Sequence, residues 1–417
     1  MGQKNRIDKL LIVEWGIGIK NGHFQTTPIE TQLAYRPNEC HLLLDDEIDN
    51  LSPGTFTSFT KIGKNVRFFD EYRGYWADEH PTLKKIKKFI RYKYNYLLGR
   101  YKDFSEVLYE LIRKNNFQNS DVVVFPSLSP AFLPYIIQII SELDTKYSPV
   151  FIVRLLAGFS YQDYHRVYGV TLVNQLVAEK KIILCCDSET VTEVAKTEYG
   201  YQMADPWILP LNISPFRPET IRAVRRWKAG EVFRIGVYGG PRQDKGSDRI
   251  ASIAQALRYA NSKAPENAVK FEFLVQADLT PGETDPLYES LAALPTDLDG
   301  VRITPLGPSL SGTEFIDAFM ACDVVLLPYS QSKKRLVGSG IVVDAVFARK
   351  PLIYTTGMSM IPFMVHGNAL QADSDDEIAN AIVEISDNYQ EFAMGADKAF
   401  EFAKLKVENP PLPNAHY

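Results

Sequence analysis

Five apolar, strand-like runs in each half of the chain alternate with helix-patterned segments, and this rhythm restricts the fold more than anything else in the sequence. The first half holds "KLLIVEW", "ECHLLLD", "DVVVFPS", "PVFIVRLL" and "KIILCCD"; the second holds "FRIGVYG", "KFEFLVQAD", "VRITPLG", "DVVLLPY" and "KPLIYTT". Runs this unbroken suit strands covered on both faces, and a helix between successive strands suits parallel crossovers. The expected class is α/β, with two Rossmann-like parallel-sheet domains in series. At 417 residues the chain exceeds one typical core, which agrees with two domains. Between the halves lies "LPLNISPFRPETIRAVRRWKAGE", whose prolines at 210, 215 and 218 read as a linker. The boundary is expected near Ser214, giving domains 1–214 and 215–417. Open parallel sheets bind ligands at the carboxyl ends of their strands, so the residues just after strands are the ones to weigh.

A formal net charge of -5 speaks against nucleic-acid binding through a globally basic surface. Of the 4 cysteines, Cys185, Cys186 and Cys322 lie in apolar runs; they read as core thiols and fit a reducing, cytoplasmic address. The opening "MGQKNRIDKLLIVEWG" has too short an apolar run for a signal peptide, and no stretch is long enough to span a bilayer. The 6 histidines are scattered, without the paired spacing of a helical zinc site; no metal and no other cofactor is expected.

In "YGGPRQDKGSDRI" a strand hands over to a helix. Gly239 and Gly240 let the backbone turn tightly and approach a ligand. Arg242 and Lys245, three residues apart near the helix start, combine a planar fork with a point charge and suit a diphosphate. A plain turn with two solvated cations is the competing account. The dinucleotide fingerprint is incomplete, with no third glycine at the required spacing, which lowers the case for NAD. A second stretch, "VVLLPYSQSKKRLVGSGIVVDAVFARKPLIYTT", reads as strand, polar loop, glycine turn, helix and strand. Gly338, Ser339 and Gly340 open that helix, where free amides attract phosphate. Asp344 falls one turn in, among apolar neighbours, and a buried carboxylate there needs a partner. A ribose diol is one such partner; a first-turn aspartate favoured by the helix dipole is the plainer alternative.

Together these stretches resemble the donor domain of GT-B glycosyltransferases, particularly family four and its relatives. Gly239, Arg242, Lys245 and Gly246 match that family's "G-x-x-R-x-x-K-G", and Ser339, Gly340, Ile341, Asp344 and Ala345 match its later "S-G-(V/I)-x-x-E-A". The resemblance runs from Arg234 to about Ile385, and more loosely through the first half. It implies diphosphate binding by Gly239, Gly240, Arg242, Lys245, Gly338, Ser339 and Gly340, with the ribose on Asp344. It also implies an acceptor-binding first domain and a donor-binding second one, with the final helical segment a candidate to return to the first. Two departures stand out. Asp344 is one methylene shorter than the family's glutamate, and Leu336 stands where many members carry an earlier one. Arg335 or the Gly338–Gly340 backbone is the substitute to consider.

The base is expected between the loops after "FEFLVQAD" and "VRITPLGPSL", read by Gln276 against an apolar wall of Leu306 to Pro308. In the first half, Gly16, Gly18 and Gly22 make a loop after the first strand, followed by His23, which suits a sugar hydroxyl or a base near working pH. Residues 82–102 are strongly basic with an apolar stripe at helical spacing. Such a helix suits an anionic membrane surface, and it equally suits packing its stripe inward.

The resemblance implies transfer of a sugar from a nucleoside-diphosphate sugar, with UDP as the family's habitual nucleotide, to a glycan or lipid-linked acceptor. It implies a metal-independent, retaining reaction in which Arg242 and Lys245 meet the leaving diphosphate; His23 is the first candidate base for an inverting route. Two rivals remain: a nucleotide-sugar 2-epimerase on the same fold, and a nucleotide-sugar-binding partner without turnover.

Overall fold

The structure is a computed structural model that describes residues 7–14, 26–45, 56–62, 100–128, 133–144, 146–156, 170–221, 224–239, 243–263, 269–276, 297–298, 300–307, 310–330 and 338–413. It divides into two compact units. Unit 1 comprises Met1–Asp187, Thr192–Leu209 and the segment from Pro410 on; unit 2 comprises Pro210–Asn409, with Ser188–Val191 counted alongside.

Among the described residues, unit 1 is built on six strands: β1 Lys9–Glu14, β2 Glu39–Asp45, β3 Ser58–Ile62, β4 Val122–Leu128, β5 Val150–Leu155 and β6 Ile182–Cys186. They pair in parallel in the order β3-β2-β1-β4-β5-β6. Every residue of β4, β5 and β6 is buried, as unbroken apolar runs require. On one face Leu10, Ile12, Val122, Val124, Val150 and Ile152 join Tyr35, Trp207 and Leu209 in a core. The helix Thr27–Tyr35 opens on Pro28, whose missing N–H costs nothing in a first turn. It ends where Arg36 turns left-handed (φ 50°) and returns its N–H to Gln32. The thiols of Cys40, Cys185, Cys186 and Cys322 are buried and unpaired with one another, and burial pushes Cys185 up to about 12.

Unit 2 repeats the plan. Its strands are β7 Phe233–Val237, β8 Phe271–Val275, β9 Asp297–Leu298, β10 Val301–Pro305, β11 Val324–Leu327, β12 Leu352–Tyr354 and β13 Ala369–Gln371. The order is β13-β12-β11-β7-β8-β10-β9, all parallel except the short β9. Leaving β9 aside, the strands taken in sequence follow the same 3-2-1-4-5-6 order as unit 1. Helices Gly312–Ala321 and Asp375–Asp387 each start with a capping box, Ser311 with Glu314 and Ser374 with Glu377.

The chain passes from unit 1 to unit 2 between Leu209 and Pro210, somewhat ahead of the expected Ser214. Ser214 is fully buried, with its amide on Thr220 Oγ1 at 2.9 Å, so it belongs to a folded turn of unit 2 and not to a joint. The final helix, Tyr389–Val407, also lies in unit 2. What returns to unit 1 is the segment after it: Tyr35 donates its hydroxyl to the Pro411 carbonyl at 2.9 Å, and Leu412 packs on the unit 1 core.

Candidate functional site

In unit 2 the strand order reverses between β7 and β11, and parallel sheets open a crevice at the carboxyl ends of such a pair. Both sequence motifs follow these two strands. After β7, Tyr238 stacks on Phe319 at 4.5 Å and donates its hydroxyl to the Ala318 carbonyl at 2.8 Å, pinning the start of the turn. Gly239 then takes φ 102°, and a Cβ there would collide with the Lys245 ammonium group. Lys245 closes the 3-10 turn Gln243–Lys245, with its Nζ 5.8 Å from the centre of the Tyr329 ring. A cation therefore stands over bare backbone at the end of β7. Gly246 has φ 70°, and a Cβ on it would strike the Pro328 carbonyl. The Ser330 amide donates to the Asp244 carbonyl at 3.1 Å, which ties the loop after β11 to the Lys245 turn. Gly246→Ala combines left-handed backbone strain with that clash, so a loss of about 2–3 kcal/mol in urea unfolding is expected.

The helix Gly340–Phe347 follows β11 and leads to β12, so its amino end faces the same carboxyl edge of the sheet. Ser339 makes no side-chain cap, and its amide donates to the Met360 thioether at 3.2 Å, a weak acceptor. Asp344 is fully buried, and both its oxygens are taken within unit 2. Oδ1 accepts from the Asn212 amide at 3.0 Å and the Ile213 amide at 3.1 Å; Oδ2 accepts from Asn212 Nδ2 at 2.8 Å. The ribose expected on Asp344 thus meets a carboxylate already held by three donors from its own chain.

Burial raises the Asp344 carboxyl from 3.8 to about 6, against the lowering effect of Asn212, Ile213 and the charge of Arg217. Its folded-state value lies above its unfolded one. The native protein therefore keeps a proton that the unfolded chain gives up, and the stability this confers is complete below roughly pH 4 and lost as pH rises through 6. The loss amounts to about 3 kcal/mol. Asp344→Asn, neutral throughout, is expected to lack that slope when urea unfolding of the two proteins is compared between pH 4 and 7.

Gln276, expected to read a base edge, is engaged elsewhere. Its side-chain carbonyl accepts the Gly239 amide at 2.8 Å and holds the turn under Lys245. Leu306 is half-buried and continues the pairing past β10, its amide on the Val275 carbonyl at 2.9 Å. Gly239, Lys245 and Gln276 are brought together; Gly340 and Asp344 group instead with Leu211, Asn212 and Ile213. Gly16, Gly18, Gly22, His23, Gly240, Arg242, Pro308, Arg335, Leu336 and residues 82–99 lie outside the described residues. Among the described residues no group of three or more His, Cys, Asp or Glu is placed to hold a metal ion, and no helix is long and apolar enough to cross a membrane.

One charged group in unit 1 does not stand out in the sequence. Arg154, on β5, is buried and donates to the Trp207 carbonyl at 2.6 Å and the Pro126 carbonyl at 2.8 Å. The charges of Asp187 and Glu14 face it, and burial raises Asp187 while Arg154 opposes the rise. An arginine inside "PVFIVRLL" and a glutamate ending "KLLIVE" are the signals that could have found it.

No family model matches the sequence, and no curated protein matches it. Solved structures do. The chain is similar to a glycosyltransferase from Rickettsia africae at 12% identity, covering 97% of this chain and 96% of that one, with a TM-score of 0.60. It is similar to Anabaena HepE in complex with UDP at 15% identity, covering 96% and 95%, with a TM-score of 0.58. It is also similar to the E. coli trehalose-6-phosphate structure bound with UDP-2-fluoro glucose, at 12% identity, covering 96% of each chain, with a TM-score of 0.59. Over nearly its whole length, the chain has the α/β fold of the GT-B glycosyltransferases.

Proposed function

We propose that this protein is a glycosyltransferase that moves a sugar from a UDP-sugar to a hydroxyl of a glycan or lipid-linked acceptor. The observation that carries the reading is Lys245 held over Gly239, at the carboxyl end of β7 and tied to the loop after β11. A cation above a glycine at a strand-to-helix turn suits a diphosphate. UDP is the favoured nucleotide because solved structures of this fold hold UDP, UDP-glucose and UDP-2-fluoro glucose.

In this reading the bond from sugar C1 to the diphosphate oxygen breaks while the acceptor oxygen bonds to C1. Lys245, with Arg242, neutralises the charge that the leaving diphosphate gains, and the Gly338–Gly340 amides add to it. Protein cations and amides fill the role a metal would otherwise take. The departing phosphate receives the acceptor proton, and the new bond forms on the face the old one left, so configuration is retained. The reaction runs in the cytoplasm, with residues 82–102 as a contact to the inner membrane face when the acceptor is lipid-linked.

A thermal-shift series with UDP, GDP, ADP and UDP-glucose, with and without EDTA, tests this. UDP and UDP-glucose are expected to stabilise, by about 2.7 kcal/mol at a hundredfold excess over Kd, and EDTA to leave the shift unchanged. Failure of every nucleotide to stabilise removes the reading. Stabilisation by UDP-glucose with no glucose released on long incubation reduces the protein to a nucleotide-sugar binder.

A further inference from the structure

The chain is fastened on both sides of its passage between the units. On the unit 1 side Trp207 is buried, its amide on the Cys186 carbonyl at 2.9 Å and its carbonyl on Arg154, and Leu209 lies in the core. On the unit 2 side Asn212 and Ile213 are held by Asp344, while Arg217 Nη2 donates to the Leu211 carbonyl at 2.8 Å and the Asn212 carbonyl at 3.2 Å. The backbone between these fastenings is Pro210 alone.

On the unit 2 side Leu211, Asn212 and Ile213 all meet one helix, Gly340–Phe347. Leu211 packs on its first residue so closely that a Cβ on Gly340 would come within 2.6 Å of Leu211 Cδ1. Asp344, one turn further along, takes the next two amides. A neutral asparagine would offer an acceptor oxygen at lower cost than a buried carboxylate. The charge instead draws three donors, all from Asn212 and Ile213.

We infer that Asp344 is a positioning residue and not a ligand contact: it locks the entering segment Asn212–Ile213 to the helix that opens on the Gly338–Gly340 turn, so that a diphosphate held at that turn is felt in this segment. This rests on the reading of that turn as a diphosphate site. The coupling is reciprocal, so whatever UDP does to the segment, loosening the segment does to UDP affinity by the same factor.

The test is hydrogen exchange at the Asn212 and Ile213 amides of the full chain, with and without UDP, in the parent, Asp344→Asn, Asp344→Ala and Asn212→Ala proteins. Saturating UDP is expected to slow these amides about threefold in the parent. In Asp344→Ala they are expected to exchange at least about tenfold faster without ligand, because the acceptor for both amides is gone. That variant should bind UDP within about threefold of the parent, with no further effect of UDP on the segment. Asp344→Asn, which keeps one acceptor oxygen, should restore most of the protection. Asn212→Ala, which removes only the Oδ2 bond, should move exchange the same way by less, and it decides the matter if Asp344→Ala does not fold. Two results overturn the inference: UDP binding to the parent with the segment's exchange unmoved, or a loss of UDP affinity in Asp344→Ala that disappears for 2′,3′-dideoxy-UDP, the mark of a ribose contact. If UDP does not bind the parent, the diphosphate reading fails, and the ligand-free exchange of the variants still decides whether Asp344 is the lock.

Discussion

Lys245→Ala is expected to cut turnover of UDP-glucose at saturating donor by about 10²–10³-fold, the usual cost of deleting one preorganised group aimed at developing charge. The side chain is placed to have that effect: its ammonium lies over Gly239, beside the Tyr329 ring, on a turn bonded to the loop after β11. Charge on the diphosphate grows as the glycosidic bond breaks, so the deficit belongs in kcat more than in KM. Release of UDP, followed continuously over a range of donor concentrations, separates the two. Turnover within a factor of about three of the parent would take Lys245 out of the reaction. Lys245→Arg keeps the charge but spreads it over a larger planar group, and an intermediate rate is expected.

A second large effect is expected far from the crevice. Lys350 is fully buried, and its ammonium donates to the carbonyls of Cys322 at 2.7 Å, Met320 at 3.0 Å and Arg225 at 3.5 Å. It closes the carboxyl end of the helix Gly312–Ala321, where carbonyls lose their helical partners. Asp323 beside it is buried as well, held by Arg225 Nε at 3.0 Å and the Arg234 amide at 2.9 Å. Lys350→Met fills the same space but strands those carbonyls and removes a charge facing Asp323, so a loss of about 3 kcal/mol is expected. For a unit of this size that corresponds to a fall of roughly 6–12 °C in Tm by calorimetry. A change of less than about 1 kcal/mol would mean water takes over the role of the ammonium.

The two sheets were legible because most of their strands are covered on both faces and show as apolar runs. The three strands that the runs do not reveal, β3, β9 and β13, all lie at sheet edges, where one side has no neighbour to pack against. β3 reads "SFTKI" and β13 only "ALQ". The turn of Gly239 and Lys245 was legible for a different reason: its parts are within a few residues of each other, and left-handed backbone and close approach call for glycine locally. Asp344 and Gln276 point to a ligand in the sequence because their partners are remote. Asp344 meets residues 132 and 131 positions away, and Gln276 meets one 37 positions away. No spacing rule brings such pairs together; the fold does. Lys350, standing before a proline at a strand start, looks like any surface lysine until the helix end above it is seen.

The segment Pro410–Leu412 gives the molecule an order of assembly on the ribosome. Unit 2 is one nearly continuous length of chain, all of it synthesised before Pro410. Unit 1, begun first, is finished last: the acceptor for Tyr35 and Leu412, which packs on the unit 1 core, are translated only after all of unit 2. The amino-terminal sheet is thus the older half by synthesis and the younger by completion, since the Tyr35 hydroxyl meets its Pro411 acceptor only at the end of that interval.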